Sequence, residues 1–185
     1  MIETRFHGRG GQGAVTSAEL LALAAIQEGK FAQAFPSFGP ERRGAPVLAF
    51  SRVAEEQIRL RSQIYDPDVV LVLDSSLLDI LDVTEGLKAG GTLVVNSNQP
   101  IKELASRFHF EGTLWAVDAT HLARELLGRP ITNTTMLGAL LRATGIVDIE
   151  SMSEPLRHRF GLIAAKNETA LRAAYEQVEK EEIKP

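Results

Sequence analysis

Apolar and polar positions alternate from the first residues, with Ile2, Thr4 and Phe6 spaced as a short strand. That strand runs into a glycine cluster at residues 8–13. Over residues 14–28 the apolar positions Val15, Leu20, Leu21, Leu23, Ala24 and Ile26 are dense enough for a helix packed on a sheet, and Gly29 is placed to end it. Residues 31–35 read as a second strand. Residues 36–46 hold prolines and glycines at each end and three charges between them, a composition that excludes continuous regular structure. Partial alternation over 47–53 and 57–61 predicts an antiparallel addition to the sheet. The run Val69-Val70-Leu71-Val72-Leu73 reads as a central strand covered on both faces.

Asp74-Ser75-Ser76 starts a short helix reaching residue 81, and Gly90-Gly91 precede a strand over 92–96. Another strand covers 114–117 and ends at Asp118. From there the pattern is helical, over 120–127, 134–144, 149–159 and 164–180, with Gly145 and Gly161 as breaks and a fraying last turn. Strand and helix signals that alternate over the first fifty residues predict an α/β fold. The expected architecture is a single Rossmann-like domain over residues 1–185, with a mixed, mostly parallel sheet flanked by helices and a helical C-terminal part.

Composition narrows the function. Hydrophobic residues make up 44% and charged residues 24%, an ordinary globular balance that argues against disorder. The 20 Lys and Arg are outnumbered by 24 Asp and Glu spread along the chain, so no basic stripe suits nucleic acid. There is no cysteine, which fits a reducing compartment and leaves no thiolate to hold an iron–sulfur cluster. No apolar run approaches the roughly 18 to 20 residues that span a bilayer, and no export signal opens the sequence, so a cytoplasmic protein without a membrane partner is expected. The four histidines, His7, His109, His121 and His158, lack metal-ligand spacing, and Ser37, Ser75 and Ser76 lack a nucleophile-elbow context. No metal site and no catalytic residue is expected.

Gly8-Arg9-Gly10-Gly11-Gln12-Gly13 fits the G-x-G-x-x-G pattern between a strand and a helix, where backbone amides can approach a phosphate. The dinucleotide fingerprint also needs an acid near the end of the second strand. Gln33-Ala34-Phe35-Pro36 stands there instead, so the pattern alone does not make an NAD site. The same glycines serve tight strand-to-helix packing, and Arg9 and Gln12 carry donors suited to an anion or a partner chain. In the second loop Glu41, Arg42 and Arg43 sit between Pro40 and Gly44, with Phe35 and Phe38 beside them. A solvated turn and a contact surface are both open readings of that segment.

Phe6-His7-Gly8-Arg9-Gly10-Gly11-Gln12-Gly13-Ala14-Val15-Thr16 and, more specifically, Ala34-Phe35-Pro36-Ser37-Phe38-Gly39-Pro40-Glu41-Arg42-Arg43-Gly44-Ala45-Pro46-Val47 resemble the gamma subunit of pyruvate (2-oxoacid):ferredoxin oxidoreductases. The resemblance continues through Ile64-Tyr65-Asp66-Pro67-Asp68, Val117-Asp118-Ala119-Thr120 and Ile131-Thr132-Asn133-Thr134-Thr135-Met136. It implies a subunit, inactive alone, of a multisubunit enzyme that converts pyruvate and coenzyme A to acetyl-CoA and CO2 with reduction of ferredoxin. The resemblance extends equally to branched-chain 2-oxoacid enzymes, and a free-standing NAD-dependent enzyme and a nucleotide-binding module are the alternative classes. It further implies alpha, beta and delta-type partner subunits, which carry thiamine diphosphate, Mg and iron–sulfur clusters, and a shared coenzyme A site. Candidate cofactor or interface residues are Gly8, Arg9, Gly10, Gly11, Gln12, Gly13, Ser37, Glu41, Arg42, Arg43, Asn133 and Thr134. Asn133 also reads as an N-cap, as do Asp74 and Asp118, and His7 as a packed histidine at the strand end.

Overall fold

The computed structural model describes residues 1–37 and 44–184. Glu41, Arg42 and Arg43 lie outside the described residues. Seven strands form one sheet in the order β2-β3-β1-β4-β5-β6-β7. They are β1 (Ile2–Arg9), β2 (Phe31–Pro36), β3 (Pro46–Ala54), β4 (Val69–Val72), β5 (Gly91–Asn96), β6 (Gly112–Val117) and β7 (Glu179–Ile183). β1, β4, β5 and β6 pair in parallel, whereas β3 runs antiparallel to both β1 and β2, and β7 antiparallel to β6. Five strands therefore share one direction, and the sheet is mixed and mostly parallel.

Among the described residues six α-helices accompany the sheet, namely α1 (Ala14–Gln27), α2 (Ile101–Ala105), α3 (Ala119–Leu127), α4 (Asn133–Thr144), α5 (Ser153–Phe160) and α6 (Ala164–Gln177). Helices α1, α3, α4, α5 and α6 bury one face, where Phe6, Leu71 and Val94 of the sheet meet Leu21, Leu122, Leu140 and Leu171. The other face is closed more thinly by α2 and the 3-10 turn Ser75–Asp79, through Leu104 and Leu77 on Val70, Val72 and Leu93. Burial of both faces accounts for the unbroken apolar run of β4, all four residues of which are buried. Among the described residues no helix is long and apolar enough to cross a membrane.

Two expectations need correction. Residues 57–61 form no strand; they lie beside β2, tied by the Gln33 side chain to the Ile58 carbonyl at 3.3 Å. Only Ile58 in that segment is half-buried, so its alternation has no second apolar face to bury. The last helix ends at Gln177 rather than 180, and the charged tail becomes strand β7. At the edge of a sheet, charges are tolerated and apolar alternation is not required, which hid this strand in the sequence. The short helix α2, which seats Leu104 in the core, was also not anticipated.

Candidate functional site

The chain leaves β1 towards one side of the sheet to build β2 and β3, then crosses to the other side for β4. In open α/β sheets that reversal opens a crevice at the carboxyl ends of the two strands. Here it lies between the end of β1, where the glycine loop begins, and the end of β4, where Leu73 and Asp74 follow.

Most polar groups at this crevice hold one another. The Gln12 side chain accepts from the Arg9 N–H at 2.7 Å and donates to Asp74 Oδ2 at 2.7 Å. The Arg9 guanidinium pairs with Asp74 at 3.3 Å, donates to Ser76 Oγ at 2.8 Å and reaches the Gly44 carbonyl at 3.1 Å. Burial pushes the Asp74 carboxyl up, but hydrogen bonds from Ser76 and Gln12, with the charge of Arg9, outweigh it and hold Asp74 below the usual carboxylate range. Asp74 also accepts from the Ser76 N–H at 3.0 Å, so it caps the following turn as expected. Asp118 likewise accepts from the His121 N–H at 2.8 Å.

The two loops singled out in the sequence meet at their bases. Gly10 N–H donates to the Ala45 carbonyl at 2.9 Å, and Gly44 N–H to the Gly10 carbonyl at 3.2 Å, extending the β1–β3 ladder into the glycine loop. Ser37, at the end of β2, donates its N–H to the Leu48 carbonyl at 2.9 Å, and Leu48 is in register with His7 of β1. Both described ends of the second loop are thus fixed to the same end of the sheet.

Asn133 is brought against the glycine loop by a close approach. Gly13 starts α1 with φ of 83°, and a Cβ placed there would lie 2.7 Å from Asn133 Nδ2. This is the physical reason for glycine at position 13. Asn133 is not the N-cap; that position is Thr132, whose Oγ1 donates to the Leu73 carbonyl at 3.4 Å, and Asn133 begins the helix with its side chain turned to Gly13. Thr134 is fully buried beside it. Asn133 Oδ1, Thr134 Oγ1 and Thr135 Oγ1 are buried without a hydrogen-bond partner among the described residues. The start of α4 thereby keeps unused polar capacity next to an α1 N-terminus that also lacks a side-chain cap.

His7 is a packed residue at the strand end, only 5% exposed, and its Nε2 accepts from Arg5 Nε at 3.1 Å. Burial, reinforced by the positive charge of Arg5, lowers its pKa to about 3. The site residues not foreseen from sequence are Ser76 and Gly44, which hold Arg9, and Asn96, which bridges the Leu73 carbonyl and Thr120 at 2.8 and 2.9 Å. Their signal was position alone, at or just beyond strand ends. Among the described residues no three His, Asp or Glu side chains are grouped to hold a metal ion.

Residues 3–177 match the family described as pyruvate ferredoxin/flavodoxin oxidoreductase. A Thermococcus litoralis protein named pyruvate/ketoisovalerate oxidoreductases common subunit gamma is 56% identical over 179 residues, covering 96% of this chain and 97% of its own. Pyruvate synthase subunit PorC of Methanothermobacter thermautotrophicus is 51% identical over 181 residues, with 97% of each chain covered. The crystal structure of pyruvate oxidoreductase subunit PORC from Thermotoga maritima superposes with a TM-score of 0.87 at 40% identity, over 98% of both chains.

Proposed function

Because the chain belongs to the pyruvate ferredoxin/flavodoxin oxidoreductase family, we propose that it is the gamma-type subunit of a multisubunit 2-oxoacid:ferredoxin oxidoreductase acting on pyruvate. The observation that carries this reading is end-to-end similarity to proteins named as that subunit, 56% identity over 97% of one such chain. The name of that relative covers ketoisovalerate as well as pyruvate, which favours one gamma subunit serving both enzymes. The complex decarboxylates its 2-oxoacid, places the acyl group on coenzyme A and passes electrons to ferredoxin. Thiamine diphosphate, Mg and iron–sulfur clusters belong to the alpha, beta and delta-type partners, in keeping with a chain that has no cysteine.

Within that assembly this chain supplies a shaped edge. Arg9, Gln12 and Asp74 satisfy one another and fix the bases of both loops, so their role is to position. Contact with coenzyme A phosphates or with a partner falls to the second loop, through Arg42 and Arg43. The test is reconstitution. The purified chain alone should show no pyruvate-dependent viologen reduction, and adding the partner subunits should restore it. In the assembled enzyme Arg42→Ala or Arg43→Ala should raise the KM for coenzyme A, by on the order of 1.5–3 kcal/mol for a lost charge-assisted contact. Turnover by the isolated chain would refute the subunit reading. Unchanged KM and unchanged copurification in both variants would remove the second loop from the site.

A further inference from the structure

The two edges of the sheet are built differently. β7 carries Glu179, Lys180, Glu181 and Glu182, charges of the kind that keep an edge strand from pairing with another chain. β2, at the opposite edge, is Phe31-Ala32-Gln33-Ala34-Phe35-Pro36 and has no charge. Ser37 donates its N–H to Leu48, the residue directly opposite in the register that pairs Pro36 with Ala49. Hydrogen-bonded pairs alternate along an antiparallel ladder. Phe31, Gln33 and Phe35 therefore direct their backbone groups to β3, and Ala32 and Ala34 present N–H and C=O outwards. Pro36 falls where the β3 ladder needs no donor. Among the described residues nothing pairs with this edge.

A groove of about 510 Å³ runs beside β2, between Gln33, Ala34 and Phe35 and the segment 57–61. Leu60 in its wall and Phe31 at the start of the strand are exposed, as are Leu23 and Ile26 of α1, which packs over β2. Arg59 and Arg61 also line the groove, are exposed, and make no ion pair with a described residue. Two cations without an ion pair among the described residues, beside an uncharged open edge on a chain of net charge −4, select the chemistry of what binds there.

We propose that β2 is a docking edge for an extended segment of another subunit of the assembly, an apolar strand that carries carboxylates. Its backbone pairs with Ala32 and Ala34, an apolar side chain enters the groove against Phe35 and Leu60, and its carboxylates meet Arg59 and Arg61. A second copy of this chain is the poorer occupant. Two β2 edges paired about a twofold axis would bring both Arg59–Arg61 segments to one seam, like charge against like. Because β2 runs directly into Ser37 and the second loop, a strand docked here also reaches the candidate site.

The proposal rests on the subunit reading, and the experiment separates the two. Ala34→Pro removes an outward N–H without touching the groups that pair with β3. Arg59→Glu combined with Arg61→Glu reverses the charge of the rim on exposed side chains. Each variant is co-expressed with the partner subunits, and the complex is recovered through a tag on a partner. Ala34→Pro should weaken association at least about tenfold. The charge reversal should slow association and invert its dependence on ionic strength, so that added salt speeds it. Should Ala34→Pro fail to fold alone, the charge reversal and Phe31→Lys decide. Wild-type association by folded variants would overturn the docking edge and leave the subunit reading intact, whereas failure of the wild-type chain to join its partners would overturn both. A dimer of the isolated wild-type chain that Ala34→Pro dissociates would assign the edge to a second copy, and would also overturn the proposal.

Discussion

At the scale of the residue, His7 shows how a position can be prominent in sequence for one reason and constrained in structure by another. It stands beside the glycine loop, where a titratable contact would be useful, yet it is buried with Arg5 donating to it. A ring that accepts at Nε2 carries its proton on Nδ1, and that atom is buried without a partner. Protonation would bury an imidazolium away from water and set it beside a guanidinium, hence a folded-state pKa of about 3, against an ordinary value of 6.5. Between these values the unfolded chain binds a proton that the folded chain does not. Stability is therefore full above about pH 6.5 and falls with pH below it, by at most about 1.4 kcal/mol per pH unit from this group. His7→Gln keeps an acceptor for Arg5 and should remove that slope. Urea unfolding of both proteins between pH 7.5 and 5 checks it, since the depressed carboxyl of Asp74 titrates lower and is common to both. Curves that stay parallel would show that His7 does not govern the acid response.

Elements were legible where burial dictates them. The apolar density of α1, its glycine stop and the continuous run of β4 predicted those elements within a residue or two, because each buries a face or two against the core. Strand β7 and segment 57–61 were misread for complementary reasons. A charged edge strand shows no apolar alternation, and an alternating segment that finds no second face to bury forms no strand. Nor could pattern disclose how closely α4 and α6 cross. There a Cβ on Gly138 would run into the backbone carbonyl of Leu171. Alanine gains up to about 1 kcal/mol over glycine in a helix interior, and overpacking a well-filled contact costs about 1–3 kcal/mol. Because the obstacle is backbone rather than a flexible side-chain end, the clash should win. Gly138→Ala is expected to lower the melting temperature by roughly 2–8 °C, for a net loss of about 1–2 kcal/mol. A melting temperature unchanged or raised would mean that the two helices separate at little cost.

For the whole molecule, topology decides between ligand readings that the glycine pattern left open. The candidate site was legible in part: Gly8–Gly13 and Asn133 converge, but what Arg9 and Gln12 do depends on Asp74, 62 residues beyond Gln12 in the chain, and no local pattern reports such a partner. In the dinucleotide fold the strand that follows the first helix lies beside the first strand, and an acid at its end takes the ribose hydroxyls. Here antiparallel β3 lies between β1 and β2, which moves the end of β2 one strand further away, and that end carries Pro36 and Ser37. Three amides of the glycine loop are also engaged, Arg9 by the Gln12 side chain, Gly10 by Ala45 and Gln12 by the Arg9 carbonyl. Binding NAD would require breaking the Arg9–Gln12–Asp74 network, each charge-assisted bond of which is worth about 1.5–3 kcal/mol. Two such bonds reduce affinity by more than a hundredfold. Calorimetric titration of the purified chain with NAD is therefore expected to give no saturable heat at micromolar concentrations. Gln12→Ala, which frees the Arg9 amide and leaves Asp74 to Arg9 and Ser76, should not create an NAD site, because the displaced end of β2 still offers no acid for the ribose. Micromolar affinity in the wild type, abolished by Gly13→Val, would show that the loop opens for a nucleotide despite this topology.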